Sequence, residues 1–397
     1  MSLPPDGSRL HITLSGDVYL KSRKTQRGLI ARFRRNLELA LEKAGHRGDI
    51  ERMGTHRFSI APPVERRAAV VEACSTVFGV ASIDTVIELQ FEDFDGLVDA
   101  VADASADRVR GRSFAVRSKR RGNHSWRSPD LARAVGSQLV ARGGTVDLTN
   151  PDVEVSVRVL DGKAFLVTDH VAGPGGLPLG TQDRVLCLLS GGFDSVVAAW
   201  MLMSRGCPVD FVHFSLNCAQ SDHALAVARE LWDTWGHGTD PTVHLVEFQP
   251  VKDTLFADVE TRLRQVTLKV MMARAAEEIA DSESVPALLT GDSVGQVSSQ
   301  TIPHLVAVSR AVQIPVLRPL SGLPKEHIIA LARRVGTAEL SARAQEVCDL
   351  SEGQPVATSA AGKDIDRSVE QIPDEVLADA LTTAKKFKLR DWTPGQI

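Results

Sequence analysis

Apolar residues recur along this chain with two different periods, and the switches between them mark its elements. Leu10 to Leu14 alternates as a strand does. From Gln26 to Lys43 the positions Leu29, Ile30, Phe33, Leu37, Ala40 and Leu41 fall on one helical face, with Arg27, Arg32, Arg34 and Arg35 elsewhere. Phe58 to Ala61 begins another strand, so residues 1–60 are expected to form a small α+β unit. A second unit is expected over 61–171. In it Ala68 to Ser75 and Phe91 to Ala104 read as helices, and Phe78 to Val80 and Ser113 to Arg117 as strands. Asp130 to Ala141 reads as a helix with Ser128 as cap and Pro129 in its first turn. Val153 to Val159 alternates cleanly, Asp161-Gly162 is a hairpin turn, and Ala164 to Val167 returns.

Gly173-Pro174-Gly175-Gly176-Leu177-Pro178-Leu179-Gly180 is dense in helix and strand breakers, which makes 172–183 the expected linker. Beyond it the pattern changes. Short apolar strands at 185–189, 209–215, 243–248, 287–290 and 316–319 alternate with helices starting near Ser195, Asp222, Val251 (running to Val266) and Lys325. Such alternation predicts a doubly wound α/β domain over 184–350, a parallel sheet whose strand C-termini form a ligand crevice. Residues 351–397 read as a polar tail with a helix at Asp374 to Phe387.

The stretch Leu186 to Ser195 carries the strongest chemical signal. An apolar strand breaks into Ser190-Gly191-Gly192-Phe193-Asp194-Ser195 and re-enters a helical pattern. Two glycines let backbone N–H groups approach a phosphate chain without a Cβ in the way. The dipole of the following helix favours the same anion. Ser190 and Ser195 offer hydroxyls, and Asp194 offers a carboxylate for Mg²⁺ or for steering pyrophosphate. No Gly-Lys-Ser/Thr follows, so this is not a Walker loop. It fits the loop of enzymes that cleave ATP between its α and β phosphates to adenylate a substrate.

Composition adds a partner. The formal net charge is −4, but residues 1–60 hold 12 Lys and Arg against 6 Asp and Glu, leaving 34 against 44 for the remainder. A second basic run, Asp107 to Arg127, includes Arg112, Arg117, Lys119, Arg120 and Arg121 with Asp107 as its one acid. Two basic clusters in an otherwise acidic chain point to a polyanion, with those five residues as its candidate contacts. The N-terminus lacks a signal-peptide core and no apolar run has membrane-spanning length, so a cytoplasmic protein is expected.

The chain resembles the tRNA 4-thiouridine synthetase (tRNA sulfurtransferase, ThiI) family over nearly its whole length. The likeness rests on Gly16 to Ser22, on Ser113 to Arg120 (similar to the core of a THUMP RNA-binding domain), on Val146 to Val153 and on the 173–181 linker. Its most specific part is Thr290-Gly291-Asp292-Ser293-Val294-Gly295-Gln296-Val297-Ser298-Ser299-Gln300-Thr301. The resemblance implies an N-terminal ferredoxin-like domain, a THUMP domain, and a pyrophosphate-loop domain of the adenine nucleotide α-hydrolase type. It implies ATP-dependent sulfur transfer to a tRNA uridine at position 8, through O4-adenylation. By position, Leu188, Leu189, Ser190, Gly191, Gly192, Asp194, Ser195, Lys269, Gly291 and Gln300 match nucleotide contacts, while Asp194 and Cys348 match catalytic residues.

Cysteine usage refines this expectation. Cys74, Cys187 and Cys207 sit in apolar contexts that suit packing, whereas Cys348 lies in the polar run Gln345 to Asp349 and suits an accessible thiol. Glu346 and Asp349 beside it disfavour the thiolate, so its activation has to come from elsewhere. Cys218 is a weaker candidate near the expected crevice. No Cys-x-x-Cys pair is present, which argues against an iron–sulfur cluster. No cysteine follows Cys348, so a form without a C-terminal rhodanese domain is expected. Sulfur would then come from a separate carrier, a cysteine desulfurase alone or with a free rhodanese, and a thiamine-related role is not expected. A homodimer would let one RNA-binding half present the substrate to the other chain's active site. Two competing readings stay open: an RNA-binding adaptor with a vestigial nucleotide site, and a pyrophosphate-loop ligase acting on a non-RNA substrate.

Overall fold

Alternation of buried and exposed positions builds the first sheet: Val153, Val155, Val157 and Val159 are buried, and the residues between them face the other way. The computed structural model describes residues 7–160, 162–216, 218–344, 350 and 356–395, with the backbone alone described at 218–220. Contacts divide the chain into two units. One comprises residues up to Lys21 with Leu37–Gly175, the other Ser22–Asn36 with the residues from Gly176 onward.

The first unit holds β1 Arg9–Leu14, β2 Ile50–Met53, β3 Arg57–Ile60, β4 Val80–Leu89, β5 Ser113–Arg121, β6 Thr145–Val146, β7 Val153–Leu160 and β8 Lys163–Ala172. They form one eight-stranded sheet in the order β2-β3-β1-β4-β8-β7-β5-β6. The sheet is therefore continuous across residue 60, where the sequence drew a boundary, because β1 pairs antiparallel with both β3 and β4. Sequence pattern missed β2, a short edge strand with its two central residues exposed. Helices Phe94–Val109 and Ser128–Ala141 bury Leu97, Val101, Leu131 and Val135 against the valine face of β7. The cap of the second helix falls at Arg127 rather than Ser128. The Arg127 N–H donates to the Asp130 carboxylate at 2.8 Å, which moves the helix start one residue earlier. Gly162 takes φ +86 at the β7–β8 turn, while Asp161 lies outside the described residues.

The second unit holds β9 Val185–Leu188, β10 Val209–Ser215, β11 Thr242–Glu247, β12 Leu288–Leu289, β13 Val316–Leu317 and β14 Lys385–Lys388, ordered β13-β12-β9-β10-β11-β14. The first five run parallel. The expected single helix from Val251 to Val266 is two, Gln249–Asp258 and Thr261–Ser282, broken at Val259 in an extended conformation. Buried positions continue through the break because both helices pack on one core, which is why periodicity hid it.

The expected polar tail also has structure. Helices Gly362–Glu370 and Asp374–Thr382 bury Ile365, Val369 and Leu377 in that core, and β14 pairs antiparallel with β11. Lys385, Lys386 and Lys388 made β14 read as solvent-facing chain; lysines on an edge strand instead protect it from further pairing. No helix among the described residues is long and apolar enough to cross a membrane.

One buried carboxylate fastens the entry of this sheet. Asp210 on β10 accepts Arg184 Nη1 at 2.7 and 2.8 Å and the Thr242 N–H at 2.7 Å, so it ties β10 to the residue before β9 and to the start of β11. Asp210→Ala leaves a buried N–H and a guanidinium without their acceptor, which should cost about 2–3 kcal/mol. The expected readout is a lower urea midpoint for this unit in circular dichroism, with ligand-free secondary structure preserved.

Candidate nucleotide-binding site

Parallel strands present their C-terminal ends to one side, and there the second unit encloses a cavity of about 530 Å³. β9 runs into Leu188, Leu189 and Ser190, and β10 supplies His213 and Phe214. The chain after β12 supplies Thr290, Gly291 and Asp292, and the helix Thr261–Ser282 adds Leu268, Lys269 and Met272. All of these line the cavity, together with Asp194, Ser195 and Gln300.

The Ser-Gly-Gly turn has the geometry its residues demand. Gly191 takes φ +78, and a Cβ there would press on Ala224, with its Cα at 3.0 Å. Helix Phe193–Met203 starts at Gly192 with no side-chain cap, so its first N–H groups have no side-chain acceptor there. Ser190 Oγ and Ser195 Oγ lie 3.2 Å apart across the turn. Gly291 is held against this helix start: an added Cβ would lie 2.5 Å from the Asp194 carbonyl carbon and 2.7 Å from the Ser195 nitrogen.

Two carboxylates organise the cations. Asp292 Oδ1 accepts Lys269 Nζ at 2.9 Å and Gln300 Nε2 at 3.3 Å. Its Oδ2 accepts Thr290 Oγ1 at 2.8 Å and Arg318 Nε at 3.4 Å. Burial alone would raise the Asp292 pKa, but the Lys269 charge and hydrogen bond, the Thr290 hydroxyl and Arg318 outweigh it and hold the group below the ordinary carboxylate range. Asp194 accepts Lys325 Nζ at 2.7 Å on Oδ1 and Gln296 Nε2 at 2.8 Å on Oδ2. Each of its oxygens thus has a protein partner.

The cavity also has apolar lining, Phe214, Leu216, Leu268 and Met272, and beside it the polar side chains of His213, His223 and Gln265. His213 Nδ1 lies 2.8 Å from the Leu189 carbonyl oxygen, so Nδ1 carries the proton and Nε2 is left as an acceptor. That Nε2 is buried without a partner. Burial lowers the His213 pKa, and the bond to Leu189 only partly opposes it, so the ring is neutral at physiological pH.

The structure therefore gathers Leu188, Leu189, Ser190, Asp194, Ser195, Lys269, Gly291 and Gln300 around one cavity, with Gly191 and Gly192 forming the turn between them. Lys269 is an ion-paired, largely buried group and not an exposed helix residue. Cys348 lies outside the described residues, as does the side chain of Cys218, whose backbone begins the helix after β10. Cys74 and Cys187 are buried, with the Cys74 thiol pushed up to about 12 and the Cys187 thiol pushed up further by burial. Cys207 is half-buried, and its thiol too is pushed up, mainly by burial. Sequence reasoning missed His213, Phe214, Gln296 and Lys325. The available signal was position, since the first two end a predicted strand and Lys325 opens a predicted helix.

Comparison with known proteins agrees with this geometry. Residues 180–373 match the family model described as thiamine biosynthesis protein (ThiI), and residues 90–169 match the THUMP domain. A tRNA sulfurtransferase of Desulfurococcus amylolyticus is 39% identical over 343 residues, 86% of this chain and 70% of that protein. The chain belongs to the tRNA sulfurtransferase family. A member from Sodalis glossinidius is 33% identical over 383 residues, covering 96% of this chain and 79% of that one. The crystal structure of a 4-thiouridine synthetase–RNA complex with bound ATP shares the fold of this family member, with a TM-score of 0.77 at 24% identity, over 96% of this chain and 99% of that one.

The contact at Gly291 gives the site its most direct test. Gly291→Ala forces β12 and the helix start apart, at a cost of about 1–3 kcal/mol. A thermal shift of several degrees, largest at the second unit's transition, is the expected result; an unchanged transition would mean that the turn yields freely.

Proposed function

We propose that this chain transfers sulfur to the position-8 uridine of tRNA, giving 4-thiouridine, and that it activates the uridine O4 as an adenylate in the cavity of its second unit. One observation carries the reading: an uncapped helix start, the ion-paired Lys269 and apolar lining with an unfilled acceptor meet in one cavity. ATP suits this combination. Its triphosphate belongs at the Ser190–Ser195 turn, where N–H groups, the helix dipole and the Lys269 and Lys325 ammoniums meet. Its adenine belongs against Phe214 and Met272, where the N6 amino group can donate to His213 Nε2. A guanine would set its O6 acceptor against that acceptor instead.

Mg²⁺ fits as an ion carried largely on phosphate oxygens with Asp194 as a protein ligand, since no group of three or more His, Cys, Asp or Glu among the described residues could hold it alone. When bound it would neutralise phosphate charge.

The uridine O4 is a poor leaving group. Its attack on the α phosphorus forms an O–P bond and expels pyrophosphate, whose charge the Ser190 and Ser195 hydroxyls, the helix start and Lys269 stabilise. The outer sulfur of a persulfide on Cys348 then bonds C4, the C4–O4 bond breaks and AMP departs. A second thiol attacks Cys348 Sγ, the S–S bond breaks and 4-thiouridine leaves with the outer sulfur. The resulting disulfide is reduced by an external thiol before the next turnover. A cysteine desulfurase, alone or with a separate rhodanese, supplies that sulfur. In the first unit Arg117, Lys119, Arg120 and Arg121 on β5, with Arg112 just before it, serve as the RNA contacts.

Asp194→Ala should abolish tRNA-dependent pyrophosphate release while leaving tRNA affinity within about twofold; joint loss of both would count against separate units for chemistry and binding. Cys348→Ser should keep pyrophosphate release and lose the near-ultraviolet absorbance of 4-thiouridine. Turnover without tRNA would instead favour a ligase, and tRNA binding without turnover an adaptor. Reversing Arg117, Arg120 and Arg121 to Glu should weaken tRNA binding and reduce the slope of log affinity against log salt by about 0.9 per lost phosphate contact in duplex RNA, by analogy with B-DNA. An unchanged slope would move the RNA face elsewhere.

A further inference from the structure

The face of the first sheet opposite its valine core sets charged side chains around a small apolar cluster at Phe165, and it hollows into a second cavity of about 430 Å³. Eight cationic side chains line it against Glu51 and Glu88. Three of the eight are neutralised locally: Arg9 pairs with Glu51 at 2.9 Å, Lys163 with Glu88 at 3.1 Å, and Arg158 with the buried Asp84 at 2.5 Å. The other five, Arg52, Arg57, Lys119, Arg120 and Arg121, form no ion pair with any described residue. Arg57 Nε is buried with no hydrogen-bond partner.

Concentrating five like charges around a concave, nucleotide-sized space costs self-repulsion, and an anion relieves it. Register explains how distant sequence builds this. Thr13 pairs with Arg57 across β1 and β3, His11 with Asp84 across β1 and β4, and Lys119 with Arg158 across β5 and β7. Strands from both sides of residue 60 thus supply the cavity.

Its floor holds a further unfilled group. His11 has no exposed surface, packs edge-on against Phe165 at 4.6 Å between ring centroids, and neither ring nitrogen has a partner. Burial, then Arg57 and Arg158, push its pKa down to about 3, so it adds no charge of its own.

The geometry points to a phosphate-binding site in this cavity, separate from the nucleotide cavity of the second unit, that takes a phosphate group borne on RNA or on a free mononucleotide. The guanidinium groups suit the tetrahedral oxygens of phosphate. The site deepens the reading of β5 as an RNA face and rests on it for the RNA source, while the phosphate chemistry stands on the cavity alone.

The test uses the full chain carrying ¹³Cε1-histidine, with the His11 signal assigned through His11→Gln. Inorganic phosphate at constant ionic strength should shift the His11 signal saturably. Arg52→Gln/Arg57→Gln should weaken that response about tenfold while the signals of histidines outside the cavity, such as His46 and His213, stay in place, which shows the fold intact. A His11 signal that does not move, or that drifts linearly and alike in both proteins, overturns the site.

Two further titrations separate the sources. Unmodified tRNA that abolishes the phosphate response assigns the site to RNA. AMP that shifts His11 as well as His213, with tRNA ineffective, assigns it to a free nucleotide and removes its link to the RNA face. The β5 reversal variant should lose the phosphate response together with tRNA binding, since Arg120 and Arg121 line the cavity; loss of tRNA binding with an intact phosphate response would overturn their place in the site.

Discussion

Gly291 is the constraint on which the nucleotide site depends. Only a residue without a Cβ lets the chain leaving β12 lie against the Asp194–Ser195 peptide, where a methyl carbon would stand 2.5 Å from the carbonyl carbon. That contact sets two carboxylates on either side of one turn. Asp292, the next residue, gathers Lys269, Thr290, Gln300 and Arg318; Asp194, at the helix start, gathers Gln296 and Lys325. Three cations, Lys269, Arg318 and Lys325, reaching in from separate segments are thereby held near the start of a helix that has no side-chain cap. Pre-positioned donors of this kind need little reorganisation as charge develops on a departing phosphate, which is the main route by which such sites lower barriers.

What was legible in the sequence follows from which residues carry backbone requirements. Ser190 to Ser195 could be read because a strand-to-helix phosphate turn needs glycine where φ turns positive, and Gly191 takes φ +78. The parallel sheet could be read because each strand is a short apolar run between helical repeats. The network around the loop could not. Lys325 meets Asp194 across 131 residues, and nothing local distinguishes it from any other lysine opening a helix. His213 looked like one more residue of an apolar strand; its role rests on the Leu189 carbonyl fixing which nitrogen keeps the proton.

The first unit fails to announce itself for a related reason. A boundary near residue 60 suits local pattern, since a strand, a helix and a strand make a plausible small unit. Pairing runs across that boundary: β1 sits between β3 and β4, and a strand's partners are a long-range choice that alternation does not encode. β14 shows the same effect at the other end, where three lysines in four residues disguised an edge strand.

The two cavities treat positive charge in opposite ways. In the second unit Lys269 and Lys325 are each tied to a carboxylate, so their positions are fixed, their charges are partly neutralised, and they act at short range. In the first unit five cations around the cavity lack such partners, so their field extends further into solvent. Both arrangements include a buried histidine that burial keeps neutral, His213 in one and His11 in the other. A protonated ring would add a charge that the nucleotide cavity has no carboxylate left to balance, and in the first unit it would add to an existing excess. Fixed, paired cations suit a site where a leaving group must be stabilised at one place. Unpaired cations suit a surface that has to draw in a highly charged ligand before any contact is made, and salt should weaken that attraction far more than it weakens the paired network.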